Sequence, residues 1–345
     1  MFKDTAYVFD NVFGMDVPQS QLHLETAAPI LRGFMEGYNC SIMAYGQTGS
    51  GKTFTMGASD ATSTRIPSGN NNQSGLIIRS VMDLFDKLNS SIDAGDTISY
   101  QVKVSYLEVY GEDIHDLLDD SSASIHSRVP LPIREDKGGK FFVQGLSYAI
   151  VESAESTLKI LANGTKHRKT VATAMNASSS RSHAVFTIYL EQRVRVETDS
   201  IAAVNSKRPF KNNNLPPSTT AGIMSEQVVS SKLTFVDLAG SESNTRADNK
   251  GQRLVEGIQI NLGLFNLGRV ILELAAMDDS RRGGTPVKGG SGGGGQHCCQ
   301  FRNSKLTLLL KDALGGNSQT LFIACVSPAE SNESETLSTL MVWLK

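Results

Sequence analysis

Residues 46–53 read G-Q-T-G-S-G-K-T, and this stretch limits the possible folds more than any other part of the chain. It fits the phosphate-loop pattern G-x-x-x-x-G-K-[ST]. The apolar run 40–45 before it predicts a buried strand, and residues 54–56 after it can continue a helix. Strand, glycine turn and helix are the context that the pattern requires. The sequence therefore predicts a nucleoside triphosphate site rather than a glycine-rich turn that matches by chance.

The residue types of this loop suit a polyphosphate ligand. Glycines allow the backbone to turn tightly and to direct successive N–H groups at phosphate oxygens. The N-terminus of the following helix adds the positive end of its dipole. Lys52 is expected to reach the β- and γ-phosphates, and the Thr53 hydroxyl is expected to ligate Mg²⁺.

Composition narrows the class of protein. A chain of 345 residues with 39% hydrophobic residues is long enough for one large α/β domain or two small ones. Its net charge of −2 gives no overall attraction to nucleic acid or membrane, so a polyanionic partner requires a local basic patch. No apolar run approaches the ~18 residues of a membrane span, and the N-terminus does not resemble a signal peptide. The four cysteines include no C-x-x-C pair, which indicates reduced thiols in a cytosolic or nuclear protein.

Hydrophobic periodicity predicts alternating helices and strands. Helical spacing covers 19–36, 77–88 and a long segment from Ile260, while strands are expected at 100–106, 233–236 and 321–326. This order predicts an α/β fold of the P-loop NTPase type, with a central mixed, mostly parallel sheet and helices on both faces. Without an internal repeat or a clear linker, we interpret residues 1–345 as a single domain. Residues 196–230 and 283–296 are polar or glycine-rich and are expected to form flexible loop insertions.

Two later stretches supply what phosphoryl transfer requires beyond a phosphate loop. Asp237 follows an apolar strand and precedes L-A-G-S-E, which gives it the character of a Walker B acid, and Gly240 could place its N–H on the γ-phosphate. Residues 176–183 concentrate hydroxyl groups and one guanidinium before the next strand. Taken alone, the first stretch is also compatible with an ordinary turn and the second with an ordinary loop.

Taken together and in this order, the three stretches resemble a kinesin motor domain. The match consists of G-Q-T-G-S-G-K-T as the phosphate loop, N-x-x-S-S-R-S-H as the first switch and D-L-A-G-S-E as the second. The resemblance continues through 105–110, 133–136, 304–307 and 314–317, and it covers the chain from Phe9 to about residue 340. Residues 323–329 and 173–176 are most similar to the chromokinesin-like class.

The resemblance implies an ATPase that uses ATP and Mg²⁺ and is coupled to movement along microtubules. Carried onto this sequence, Thr53, Ser180 and Asp237 hold the metal. Arg181 and Glu242 form a bridge that orders the attacking water, and Gly240 and Ser179 complete the catalytic set. The implied nucleotide-binding residues are Gly46, Gln47, Thr48, Gly49, Ser50, Gly51, Lys52, Thr53 and Phe54.

The resemblance also implies a contact with tubulin, whose surface is acidic. The helix from Ile260 is expected to face the filament, and Arg302 and Lys305 match basic contact positions. Three further cations could add attraction, although a solvated loop explains them equally well: Arg281, Arg282 and Lys288. A cytoplasmic, cytoskeletal protein is implied, with nuclear or spindle association possible. Dimerisation would use segments outside this chain, and nothing indicates a nucleic-acid or membrane contact.

The sequence also departs from the family pattern. The match begins at the family's second main strand, so the first strand with its R-x-R-P segment is expected to be absent, as is the neck linker. Leu308 stands where the pattern S-K-L-T-R has Arg, and the chain ends in L-M-V-W-L-K instead of continuing as L-R-Y-A. These departures are compatible with a fragment or with a degenerate motor.

Two functions therefore remain open. The leading hypothesis is a microtubule-stimulated ATPase motor domain, because every phosphate-side residue is retained. The alternative is a non-motile module that binds nucleotide or microtubules without completing the cycle. Another P-loop NTPase, such as a nucleic-acid-dependent one, is disfavoured by the switch sequences and by the lack of a basic stripe.

Overall fold

The structure is a computed structural model that describes residues 6–57, 73–119, 129–174, 179–198, 223–242, 252–281, 300–315 and 318–342. Its strands are β1 Asn39–Tyr45, β2 Thr97–Tyr110, β3 Asp113–Asp116, β4 Ile133–Glu135, β5 Phe141–Val143, β6 Ala149–Val151, β7 His183–Thr198, β8 Ile223–Asp237 and β9 Ser318–Ala324. Seven of these strands form one sheet in the order β3-β2-β7-β8-β1-β9, with β6 pairing on β2. The strands β4 and β5 form a separate hairpin.

The sheet is mixed, as the sequence predicts, but it is not mostly parallel. Only β8-β1-β9 is parallel, whereas β2 pairs antiparallel with β3, β6 and β7, and β7 pairs antiparallel with β8. Parallel neighbours need a long crossover connection, while antiparallel neighbours can follow one another through a tight turn. The strands β2 and β3 do so, because only Gly111 and Glu112 separate them.

The predicted loop insertion 196–230 is wrong at both ends. The ladder between β7 and β8 continues through Arg195↔Glu226 to Thr198↔Ile223, well past the last pairing of β8 with β1 at Cys40↔Leu233. These outer residues form a two-stranded ribbon, and residues 225–228 are exposed, so apolar alternation does not mark them. Residues 199–222 and the second predicted insertion, 283–296, lie outside the described residues.

Helices cover both faces of the sheet. Their bounds are α1 Gln19–Leu22, α2 Ala28–Met35, α3 Lys52–Met56, α4 Leu76–Asp93, α5 Ala154–Ala174, α6 Gln252–Arg281, α7 Lys305–Leu309, α8 Lys311–Gly315 and α9 Glu333–Val342. The side chains of β1 alternate between the two resulting cores. Ile42 and Ala44 pack with α2, α4 and α5, whereas Met43 and Tyr45 pack with α6, α7 and α8.

The first predicted helix is confirmed with one irregularity. A π-helical turn, His23–Ala27, separates α1 from α2, and Pro29 is the second residue of α2. Proline has no N–H to donate to the carbonyl four residues earlier. The Ala28 N–H donates to the carbonyl of His23, five residues earlier, which is the hydrogen-bond pattern of a π-helical turn.

The long helix predicted from Ile260 is also confirmed and begins earlier, as α6. Its segment Gly257–Met277 is long and apolar enough to cross a membrane by length and composition alone. This is weak evidence for a span, because a helix that packs against a sheet passes the same test. Leu264 and Leu267 are buried in the core beneath the sheet, while Leu262 and Phe265 are exposed.

Two glycines bring the end of α3 and the start of α4 into backbone contact. A Cβ on Gly75 would lie 2.5 Å from the Cα of Gly57 and 2.7 Å from the carbonyl oxygen of Thr55. Gly57 also has a φ of +79°, which side chains rarely adopt. The end of the phosphate-loop helix therefore touches the start of α4 only because both residues lack a side chain.

We expect Gly75→Ala to destabilise the protein by about 1–3 kcal/mol, because backbone atoms must move to admit the methyl group. Thermal unfolding measures this, at about 2–4 °C for each kcal/mol. Gly263→Ala in α6 is the control: its Cβ would meet nothing closer than Leu306 Cδ2 at 3.9 Å, so it should stabilise by up to about 1 kcal/mol. Equal melting temperatures for the two variants would contradict the close contact.

Candidate functional site

Lys52 closes the phosphate loop on itself. The loop leaves the end of β1 and enters α3 at Lys52, whose side chain is buried. Its Nζ donates to the carbonyl oxygens of Gly46 at 2.8 Å and Gln47 at 2.7 Å. Burial lowers the pKa of Lys52, and the carboxylates of Asp237 and Glu242 oppose this by attraction. The ammonium group of Lys52, the predicted phosphate-binding cation, is therefore held against the first two residues of the loop.

Asp237 lies at the end of β8, beside β1, as the sequence predicts. The parallel register pairs it with Ala44, which places its carboxylate next to the phosphate loop. Its Oδ2 accepts hydrogen bonds from the Thr53 hydroxyl at 3.1 Å and from Arg168 Nη1 at 3.0 Å. Its Oδ1 is buried and has no hydrogen-bond partner among the described residues. The two predicted metal ligands Thr53 and Asp237 are thus in direct contact.

The sequence did not indicate Arg168 or Glu108, yet both belong to this site. Arg168 comes from α5 and is only 4% exposed. Its guanidinium lies 3.0 Å from Asp237 Oδ2 and 3.7 Å from Glu108 Oε1, and it donates to the Ser182 carbonyl at 2.9 Å. Burial acts to lower the pKa of Arg168, but the neighbouring acidic groups outweigh it and the pKa is raised. No local pattern marks either residue, because one is inside a helix and the other inside a strand.

The first switch is described from Ser179 onward, where Ser179–Arg181 forms a 3₁₀ turn before β7. The Ser180 carbonyl accepts the Gly240 N–H at 2.8 Å, so the two switches are in contact. His183 is buried, and burial lowers its pKa to about 3, which leaves the imidazole neutral. Its Nδ1 accepts the Ala239 N–H at 3.0 Å. This histidine fixes the position of the second switch.

Glu242 reaches across to the phosphate loop. Its carboxylate accepts a hydrogen bond from the Thr48 N–H at 2.8 Å and from the Thr48 hydroxyl at 2.5 Å. A Cβ on Gly240 would lie 2.2 Å from Glu242 Oε2 and 2.3 Å from Thr48 Oγ1, so a side chain there would displace this contact. The Glu242 carbonyl accepts from Asn261 Nδ2 of α6 at 3.3 Å. The bridge from Glu242 to Arg181, which is half-buried, remains a prediction.

Arg302 and Lys305 lie together on another surface, beside the β4–β5 hairpin. Arg302 is exposed, contacts Glu135 at 2.7 Å, and lies 5.4 Å from the ring centre of Phe141. The backbone N–H of Lys305 donates to the Glu112 carboxylate at 2.9 Å. Of the other predicted filament contacts, Arg282 and Lys288 lie outside the described residues, as does the side chain of Arg281.

Comparison with known proteins agrees with this geometry. The family model "Kinesin motor domain" matches residues 1–342. The chain belongs to the kinesin motor-domain family. Its similarity to chromosome-associated kinesins also confirms the class that the sequence predicted, since the Xenopus laevis KIF4 is 40% identical over 337 residues.

This kinesin motor domain spans less than a third of the length of the curated relatives that it matches. The KIF4 alignment covers 98% of this chain and 23% of that protein. For "Kinesin-like protein kif7" of Danio rerio, the identity is 39% and the coverage 98% and 21%. For "Kinesin-like protein KIN-4A" of Arabidopsis thaliana, the identity is 36% and the coverage 97% and 30%.

Solved kinesin structures share the fold. A fast kinesin superimposes with a TM-score of 0.73 at 33% identity, covering 97% of this chain and 78% of that one. A KIF14 dimer in complex with a microtubule gives a TM-score of 0.72 at 36% identity, with coverage of 94% and 76%. The α/β fold predicted from the sequence is thereby confirmed.

We expect Arg168→Met to destabilise this kinesin motor domain by about 3–5 kcal/mol, because it leaves two buried carboxylates without their common cation. Thermal or urea unfolding measures the loss. Arg193→Met is the matched control: Arg193 is 55% exposed and lies 4.0 Å from Glu226, so the change should stay within about 0.5 kcal/mol. A similar, small loss in both variants would show that the buried cluster is not held by Arg168.

Proposed function

We propose that this chain is an ATP-hydrolysing motor domain that couples γ-phosphate release to movement along microtubules. The observation that carries the proposal is that two carboxylates of the second switch contact the phosphate loop. Asp237 meets Thr53 and Glu242 meets Thr48, in a chain that matches the kinesin motor model from residue 1 to 342. Hydrolysis requires these groups around one γ-phosphate.

The residues fit Mg²⁺. Magnesium prefers oxygen ligands, and Asp237 offers a buried Oδ1 that has no partner among the described residues, next to the Thr53 hydroxyl. Thr53 and Asp237 would hold the ion, with Ser180 contributing from the first switch. When bound, Mg²⁺ neutralises charge on the β- and γ-phosphates.

The remaining groups bind ATP and order the attacking water. Lys52 exchanges its two carbonyl contacts for the β- and γ-phosphates, and the loop from Gly46 to Thr53 cradles them with backbone N–H groups. Phe54 is 54% exposed on α3 and is available to the base. Gly240 senses the γ-phosphate, and Glu242, Arg181 and Ser179 position the water. No strong base is needed, because charge and position stabilise the transition state.

The proposed partner is the microtubule, as in the KIF14 complex. Arg302 and Lys305 lie beside α6, because Asn266 of that helix donates to the Asn303 carbonyl at 3.3 Å. Arg281, Arg282 and Lys288 would extend this basic surface. Microtubule stimulation of the ATPase and a cytoskeletal location follow from this partner, and similarity to chromosome-associated kinesins adds possible nuclear association.

A non-motile module is the second candidate. Leu308 lies half-buried in α7, at the position where the family pattern has Arg. Loss of a cation from the surface that faces the microtubule would weaken microtubule stimulation of ATP hydrolysis, while the phosphate-binding residues would remain complete. Steady-state hydrolysis with and without microtubules separates the two candidates.

We expect microtubules to stimulate ATP hydrolysis by the wild-type chain, and Lys52→Ala to weaken ATP binding at least tenfold. The lysine supplies charge-assisted hydrogen bonds, each about 1.5–3 kcal/mol. Phosphate release and isothermal titration measure the two effects. Lys159→Ala serves as the control, because Lys159 is 69% exposed and pairs with Glu155 away from the phosphate loop. Filament binding without turnover would favour the non-motile module, and unchanged ATP affinity in Lys52→Ala would refute the loop assignment.

We expect Arg302→Ala and Lys305→Ala to weaken microtubule binding more at low salt than at high salt, while basal hydrolysis is unchanged. Exposed charges are screened over about 10 Å at 0.1 M salt. Co-sedimentation over a salt series measures the effect, with Lys159→Ala again as the control. Binding that does not respond to ionic strength would exclude this basic patch as the contact.

A further inference from the structure

Both polar groups of Thr48 that can donate are directed at one carboxylate. Its N–H contacts Glu242 Oε2 and its hydroxyl contacts Glu242 Oε1, so each carboxylate oxygen has its own donor. Such a paired contact fixes the rotation of a carboxylate as well as its position, because turning the group breaks both bonds.

The side chain of Thr48 is not part of the buried core. Thr48 is exposed on the surface of the loop, its hydroxyl lies close to Gly240, and within the part of the chain that the structure describes the only hydrogen-bond partner of this hydroxyl is Glu242. Lys52 instead holds the loop from inside by its bonds to Gly46 and Gln47. Removing the Thr48 hydroxyl should therefore leave the loop and its stability intact.

The backbone of the second switch is held against the loop independently of Thr48. The Ser241 N–H donates to the Gly46 carbonyl at 3.1 Å, and the Gly240 N–H donates to Ser180. The first bond brings residue 242 to the loop, and the second holds the same segment against the first switch. They do not determine how its carboxylate is rotated, which leaves that role to the Thr48 hydroxyl and N–H.

We propose that Thr48 is a positioning residue for hydrolysis: its hydroxyl sets the orientation in which Glu242 orders the attacking water. This inference rests on the proposed function, because it assigns Glu242 to the water. Thr48 takes no part in bond making, and its proton remains on its hydroxyl. It acts from the phosphate loop, in addition to the predicted contact of Arg181 from the first switch.

The test compares Thr48→Val, which keeps the shape and the N–H but lacks the hydroxyl, with Thr48→Ser, which keeps the hydroxyl. Thr55→Val is the matched control, since the only hydrogen-bonding contact of the Thr55 hydroxyl with the described residues is one of 3.8 Å to Cys325 Sγ. Single-turnover hydrolysis of ATP and the affinity for a fluorescent ATP analogue are measured for each, with thermal unfolding as a check on folding.

We expect Thr48→Val to slow hydrolysis about tenfold or more, with less than about a twofold change in nucleotide affinity and an unchanged melting temperature. Thr48→Ser should restore the rate to within about threefold of wild type, and Thr55→Val should not differ from it. In the background of Glu242→Ala, Thr48→Val should have no further effect, because both changes disable one unit.

Four outcomes would overturn the inference. Equal rates for Thr48→Val and wild type would show that the hydroxyl is not needed, while the proposed function would stand. A loss in affinity as large as the loss in rate would show that the hydroxyl of Thr48 binds the nucleotide instead of orienting Glu242. Additional slowing by Thr48→Val in the Glu242→Ala background would show that it acts through another group. A wild-type chain that hydrolyses no ATP, with or without microtubules, would overturn both proposals.

Discussion

The contact of Asp237 with Arg168 and Thr53 joins the elements on which this site depends. A buried carboxylate is stable only when it is paired and hydrogen-bonded. This three-residue contact requires three elements. Strand β8 places Asp237 beside β1, helix α5 brings Arg168 to Asp237, and the phosphate loop ends at Thr53. The phosphate loop, the second switch and the helix before the first switch are therefore positioned by one ionic cluster.

Two carboxylate oxygens of this cluster lack a hydrogen-bond partner among the described residues, and such atoms can mark the position of a ligand. One oxygen of Asp237 and one of Glu108 are buried and unpartnered among the described residues. Native proteins leave few such atoms, and those that remain often have a functional reason. For Asp237 the proposed Mg²⁺ site would supply that reason, since the Thr53 hydroxyl lies beside it as a second oxygen ligand. For Glu108 the structure shows no second ligand.

Sequence reasoning succeeded where chemistry is local and failed where it depends on distant segments. The phosphate loop, the strand before Asp237 and the long apolar helix are each defined by a continuous pattern, and the structure contains all three. Arg168 could not be found in this way, because its partners Glu108 and Asp237 lie 60 and 69 positions away in the chain. The ribbon of β7 and β8 was missed for a similar reason: main-chain pairing holds it together, and its residues 225–228 are exposed, so no hydrophobic period marks them.

Glu242 contacts both the phosphate loop and helix α6. Its carboxylate is bound to Thr48, and its carbonyl is bound to Asn261 of α6. That helix buries Leu264 and Leu267 against the sheet but exposes Ile258, Leu262 and Phe265, each more than half exposed. Exposed apolar residues that repeat on one helix face indicate a surface with a partner. Residue 242 thus contacts the phosphate loop with its side chain and the helix that carries this exposed apolar face with its backbone.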